Sequence, residues 1–250
     1  MKKLMTVLFA MLMLFGSAGM ASAVSLTYLI ANPSFENPVL SPGGITSSPI
    51  DPPGNWAADD PRNSVPGWNV TSLNNWGTYA GIYNNTGQAL YGGIAPDGNN
   101  IAYINLPYSY DYVILSQWVN SATITEGATY TLFADVGARA GLNSDNGTWW
   151  LQLYALAPDL VTQQWVTQSY GNPSIDIFTT QSVSYLADST YAGWTLGVAL
   201  VAMANGTEFY QINFDNVRLE AETVPEPGTI FLLGSGLVGV WIFARRKFRK

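Results

Sequence analysis

Residues 126–137 read Glu126-Gly127-Ala128-Thr129-Tyr130-Thr131-Leu132-Phe133-Ala134-Asp135-Val136-Gly137. From Thr129 to Val136 polar and apolar side chains alternate, the two-residue period of a strand with one wet and one buried face. A Glu-Gly turn opens it. Stretches of similar length and character recur on both sides, at 24–30, 101–106, 113–119, 149–156, 164–170, 178–185, 195–202 and 210–219. Each is rich in β-branched and aromatic residues and is broken from the next by Gly, Pro, Asn or Asp. No long amphipathic helix and no Gly-rich phosphate loop interrupts the series. Nine or ten strands in one region of about 200 residues predict an all-β fold, a jelly-roll β-sandwich over residues 24–223.

Two segments between strands read as loops. Residues 37–67 are dense in Pro, Gly, Ser, Asn and Asp and predict a surface excursion ending at Pro66-Gly67-Trp68, with Trp68 as a core ring. Pro96-Asp97-Gly98-Asn99 reads as a turn before the strand at Ile101.

Composition narrows the chemistry. The 250 residues include no Cys and no His. Without Cys there is no disulfide, so the core or a metal must hold the fold. Without His there is no Ser-His-Asp triad and no common zinc site. Between residues 24 and 224 sixteen acids face three arginines (Arg62, Arg139, Arg218), a net charge of about −13. Such a surface repels phosphate backbones and excludes nucleic acid as a partner.

The ends are of another kind. Lys2 and Lys3 precede an apolar run to Phe15, and Ala21-Ser22-Ala23 follows, the pattern of a secretory signal peptide over residues 1–23. The other terminus is Val224-Pro225-Glu226-Pro227, an uncharged run from Gly228 to Ala244, then Arg245, Arg246, Lys247, Arg249 and Lys250. About 17 helical residues just cross a thin bilayer, and the basic end holds the C-terminus on the cytoplasmic side. The expectation is a transmembrane helix over 228–244.

This tail, residues 224–250, resembles the PEP-CTERM sorting signal of exported bacterial proteins. The resemblance implies that an exosortase recognises Pro225, Glu226 and Pro227, and that the protein serves the cell surface or an extracellular polysaccharide matrix. The domain carries a second resemblance. Asn32-Pro33-Ser34-Phe35-Glu36 near the mature start, Glu126-Gly127 before its strand, and Phe214-Asp215-Asn216-Val217 in the last strand are similar to carbohydrate-binding and galactose-binding-like jelly rolls. In those relatives the acid near the start commonly helps hold a structural calcium, a role that by resemblance falls to Glu36; a calcium site built from Glu36 and Asp215 with backbone carbonyls would clamp the first strand to the last. The alternative is that both acids only cap turns or pair with Arg218.

Nine Trp and fourteen Tyr, with abundant amides, suit glycan recognition, since rings stack on sugar faces while amides bond the hydroxyls. Trp76, Tyr79, Tyr83 and Trp149, in or beside polar loops, are the candidate ligand contacts. No acid pair sits in a motif that assigns catalytic roles. The sequence therefore predicts a non-catalytic, exosortase-sorted protein that binds glycan. Its alternatives are a structural or adhesive matrix protein without a sugar ligand, or a carboxylate-dependent glycan-active enzyme.

Overall fold

The computed structural model describes residues 23–46, 64–72, 79–87, 94–106, 112–142, 146–205 and 208–223, together with the backbone of 48–49 and 55–56. Val24–Ala221 form one compact unit. The expected signal peptide as far as Ser22, the sorting motif and the tail helix lie outside the described residues. Among the described residues, no helix is long and apolar enough to cross a membrane.

Thirteen strands are described: β1 (Ala23–Ser25), β2 (Ser48–Pro49), β3 (Asn55–Trp56), β4 (Asn69–Ser72), β5 (Tyr79–Asn84), β6 (Asn100–Leu106), β7 (Tyr112–Thr123), β8 (Ala128–Ala138), β9 (Gly147–Leu156), β10 (Gln163–Gly171), β11 (Thr179–Leu186), β12 (Thr195–Ala204) and β13 (Tyr210–Thr223). They form two sheets. The seven-stranded one runs β11-β8-β13-β6-β5-β2, with β1 also on β13, and the six-stranded one runs β10-β9-β12-β7-β4-β3. Neighbours in each pair antiparallel wherever the register is defined. This is the predicted jelly-roll β-sandwich. The excursion before Trp68 is less bare than expected, because β2 and β3 and the bridge from Ile45 to Tyr83 add short edge pairings. Pro49 is tolerated there because an edge strand can spare an N–H.

The alternation read in residues 129–136 is real: Tyr130, Leu132, Ala134 and Val136 face the core, and Gly127 supplies the positive φ of the turn before it. Alternate residues of β6, β7, β9, β12 and β13 meet them, among them Ile104, Leu115, Leu151, Leu200 and Ile212. At roughly 25 cal/mol per Å² of apolar surface removed from water, this double layer is what holds a chain with no disulfide. Trp68 is wholly buried, stacked on Phe35 at 5.7 Å between ring centroids. One polar side chain enters the core from β7: Gln117 accepts from the Ala31 N–H at 2.7 Å and donates to the Ala31 carbonyl at 3.1 Å. This double bond pins the segment after β1 over the end of the sandwich.

Candidate functional site

In a two-layer sandwich the outer faces should be wet. The outer face of the seven-stranded sheet is not. On β13, Tyr210, Ile212 and Phe214 belong to the core, so Gln211, Asn213 and Asp215 point the other way; all three are wholly buried. The register places Asn105 of β6 opposite Gln211, and Tyr103 opposite Asn213. One strand further, Tyr79 lies opposite Asn105 and Gly81 opposite Tyr103, with Tyr83 opposite Ile101. On the other flank Asp135 of β8 is buried as well. Tyr83, Ile101 and Tyr103 pack together with Ala95 and Phe178 as a small apolar cluster apart from the main core.

Hydrogen bonds tie this face together. Asp215 accepts the Asp97 N–H at 2.9 Å and the Asn216 N–H at 2.7 Å. Asn216, at φ 50°, breaks the alternation of β13 and turns its amide to Asp135, donating to Oδ2 at 2.8 Å, while Thr180 donates to Oδ1 of the same carboxylate. Tyr103 crosses β5 to donate to the Thr46 carbonyl at 2.9 Å. Gly81 makes that crossing possible, since a Cβ there would meet the Thr46 carbonyl and the Tyr103 ring.

The electrostatics single out Asp215. Burial pushes its carboxyl up to about 8 against the pull of the Asp97 and Asn216 N–H groups, and the nearby charges of Asp97 and Asp135 add to the rise. At neutral pH it holds its proton. A buried, protonated carboxyl among aromatic rings and amides is a proton donor looking for a base, the arrangement of a general acid.

Of the residues expected to bind ligand, Tyr83 lies on this covered face and Tyr79 at its open edge, 38% exposed. Trp149 does not belong to it: its ring is in the main core. Trp76 lies outside the described residues. Glu36 and Asp215, expected as calcium ligands, grip one turn from two sides: Glu36 Oε1 accepts the N–H of Asn99 and of Asn100, at 2.8 and 2.7 Å, while Asp215 takes Asp97. Gly98, at φ +76°, lies against the Glu36 carboxylate. Calcium takes six to eight oxygens. Backbone and amide carbonyls are among those ligands, and among the described residues no group of three or more His, Cys, Asp or Glu side chains gathers at this pair.

The outer face of the other sheet differs. β7, β9, β10 and β12 carry no charged residue. Trp118 meets Tyr154 edge-on at 5.3 Å, Trp150 lies 6.3 Å from Tyr170, and between them Gln152 donates to Gln168 at 3.1 Å.

A family described as HpiC1 cyclase matches residues 27–220, nearly the whole sandwich. The chain belongs to the HpiC1 cyclase family. A Stig cyclase from Fischerella sp. TAU, solved in complex with (3Z)-3-(1-methyl-2-pyrrolidinylidene)-3H-indole, is 26% identical, with a TM-score of 0.60 over 82% of this chain and 100% of that one. A cyclase of the same source in complex with 4-(1H-indol-3-yl)butan-2-one is also 26% identical, at TM-score 0.53 over 81% of this chain and 100% of that one. An apo cyclase from Fischerella sp. shares the fold at 23% identity and TM-score 0.61, over 82% of this chain and 99% of that one. No curated protein matches the chain. Residues 223–250 match the PEP-CTERM protein-sorting motif, which marks an exported protein of the cell envelope.

Membership of a cyclase family overturns the expectation of a non-catalytic protein. The reason it was missed is physical. Asp215, Asp135 and Tyr103 come from three strands far apart in sequence, so no local motif announces them, and the absence of His removes the usual markers. A signal was present in Gln211-Ile212-Asn213-Phe214-Asp215, where polar side chains alternate with apolar ones; that this strand lies between β8 and β6 is seen only in the sheet. A central strand with an amide and carboxylate row facing outward, and covered, marks a candidate site.

Proposed function

We propose that this protein is an exported cyclase that closes a ring within an aromatic substrate bound against the outer face of the seven-stranded sheet. The observation that carries the proposal is a buried, proton-holding Asp215 on a covered polar face, in a chain of the HpiC1 cyclase family. Tyr83, Tyr103 and Phe178 supply ring surface for an indole-class molecule. Asp215 protonates an unsaturated carbon of the substrate, and a π bond of the same molecule attacks the cation to close the ring. The Asp215 carboxylate then takes a proton back from the cyclised cation. Substrate and product are isomers, and no oxidant, reductant or cofactor enters the balance.

Full-length protein in detergent, incubated with indoles bearing unsaturated side chains, is expected to yield a ring-closed isomer of unchanged mass by chromatography and mass spectrometry. Asp215→Asn should lower kcat by about 10²-fold or more, the scale of a lost general acid, while still binding 4-(1H-indol-3-yl)butan-2-one. Absence of any isomerised product from the wild type, or full turnover by Asp215→Asn, overturns the reading. The PEP-CTERM motif supports an envelope setting for this chemistry; on this reading an exosortase is the processing partner and the run 228–244 is the membrane-held segment before processing.

The uncharged ring-and-amide face of the six-stranded sheet favours a second, compatible role. Trp118, Trp150, Tyr154 and Tyr170 beside Gln152 and Gln168 have the chemistry of a glycan platform. It lies on a different face from the Tyr79 and Tyr83 contacts expected from the sequence. Retardation in gels containing envelope polysaccharide, lost in Trp118→Ala, supports it; equal mobility of the two proteins refutes it.

A further inference from the structure

One end of the covered face holds two acceptors without donors. Gln211 is wholly buried, and its Nε2 donates to Asn213 Oδ1 at 2.7 Å. With the amide in that orientation, Oε1 is an acceptor with no hydrogen-bond partner. Directly across the ladder, the buried Asn105 Oδ1 has none either. Facing residues of antiparallel strands lie about 5 Å apart at Cα, so the two oxygens belong to one place. The other polar groups on this face have donors or acceptors within the protein: Asp215 from Asp97 and Asn216, Asp135 from Thr180 and Asn216, Tyr103 to Thr46. Buried carbonyl oxygens without donors destabilise the free protein, and two of them opposite each other on one ladder point to a group supplied from outside.

We infer that Gln211 Oε1 and Asn105 Oδ1 receive an N–H or O–H of the substrate, and so select a ring compound that carries a hydrogen-bond donor, such as an indole with a free N–H. This rests on the cyclase reading above and deepens it by naming the orienting residues. The donor-bearing ring sits at the Gln211 end, near Tyr79. The rest of the molecule runs over Tyr103 towards Asp215, four residues along β13 and about 13 Å away at strand rise. An indole with a short side chain spans that length. Gln211 and Asn105 are positioning residues here, and Asp215 remains the acid.

The test uses two probes on the full chain in detergent, 4-(1H-indol-3-yl)butan-2-one and its 1-methyl counterpart, by isothermal calorimetry. Wild type should prefer the N–H compound at least tenfold. In Gln211→Leu the preference should fall below threefold through weaker binding of the N–H compound, and Asn105→Leu should act in the same direction. A preference that persists in both variants, or N-methylation without cost in the wild type, overturns the inference and leaves the cyclase reading standing. Melting supplies the ligand-free readout, taken on Asn105→Leu because Gln211→Leu also loses the Nε2 bond to Asn213: Asn105→Leu should melt at or above the wild-type temperature, since it removes an acceptor that has no donor. Should the wild type bind neither probe, the indole assignment fails. The melting of Asn105→Leu then decides the inference alone: a loss of 5 °C or more shows that Asn105 Oδ1 already has a partner and overturns it, whereas an equal or higher temperature upholds a donor-seeking site for another ring class.

Discussion

Replacing Asp215 by Asn should remove a pH dependence of stability that the wild type carries in an unusual direction. The carboxyl sits at about 8 in the folded protein, against about 4 for an ordinary Asp in the unfolded chain. Between those values the folded state binds one more proton than the unfolded state, so stability falls as pH rises and levels off above 8. The slope is about 1.4 kcal/mol per pH unit. From pH 5 to pH 7.5 the wild type should lose about 3 kcal/mol, which for a domain of some 200 residues lowers Tm by roughly 6–12 °C. An asparagine cannot titrate, so the variant's curve should stay flat over the same range. Its amide would also accept only one of the two backbone N–H groups, since the NH₂ end cannot, and the variant should be the less stable protein at pH 5. The two curves should therefore approach or cross as pH rises. Differential scanning calorimetry of both proteins at half-unit steps, with chelator present so that no cation displaces the proton, is the assay. The exposed Asp159, held below the usual carboxylate range mainly by the Thr162 and Val161 N–H groups, works in the opposite direction, but it is common to both proteins and drops out of the difference. A wild-type Tm that is flat or rising between pH 5 and 7.5 would mean that Asp215 is ionised in the fold, and the acid role would go with it.

Gly81→Ala should lower Tm strongly, because the added methyl meets the Thr46 carbonyl and the Tyr103 ring at once; overpacking of this kind costs about 1–3 kcal/mol, and a drop under 2 °C in calorimetry would show that the Tyr103 crossing is loose. Calcium at Glu36 and Asp215 is tested by the same instrument: a clamp joining the first and last strands would raise Tm by several degrees at millimolar calcium and lose that rise to a chelator and to Glu36→Gln. A shift absent from the wild type, or retained in Glu36→Gln, removes the ion from this pair.

The fold was legible because its signals are local. The alternation in residues 129–136, the Glu126-Gly127 turn and the buried Trp68 each follow from a few neighbouring side chains, and the structure places all three as the sequence predicts. The edge pairings of β2 and β3 were not legible, since two residues give no period to read and Pro49 argues against a strand. For the site, the sequence named Asp215, in the strand Phe214-Asp215-Asn216-Val217, as a calcium ligand, the role the calorimetry above tests, and did not show its raised carboxyl. Whether a carboxyl holds a metal or a proton depends on what covers it and on neighbours such as Asp97 and Asp135, which arrive from 118 and 80 positions away. Trp149 shows the same limit from the other side: adjacent to a polar loop in the chain, it is turned by strand parity into the core, while its neighbour Trp150 faces outward.

That parity also explains how one sandwich can serve both chemistry and attachment. Each sheet spends one side of its alternation on the shared core, and what the other side carries is free to differ. The seven-stranded sheet lines its outer side with Gln211, Asn213, Asp215 and Asp135 and covers them, so that burial raises the Asp215 carboxyl and leaves two amide oxygens without donors. The six-stranded sheet presents Trp118, Trp150 and Tyr170 with no charge on its four central and outer strands. Exchanging a single outward residue changes one face without touching the other, because a core about 10 Å thick separates them. Effects of Asp215→Asn on turnover and of Trp118→Ala on polysaccharide retention should therefore be independent, and the double variant should show the sum of the two. Coupling between them would mean that the faces communicate through the core.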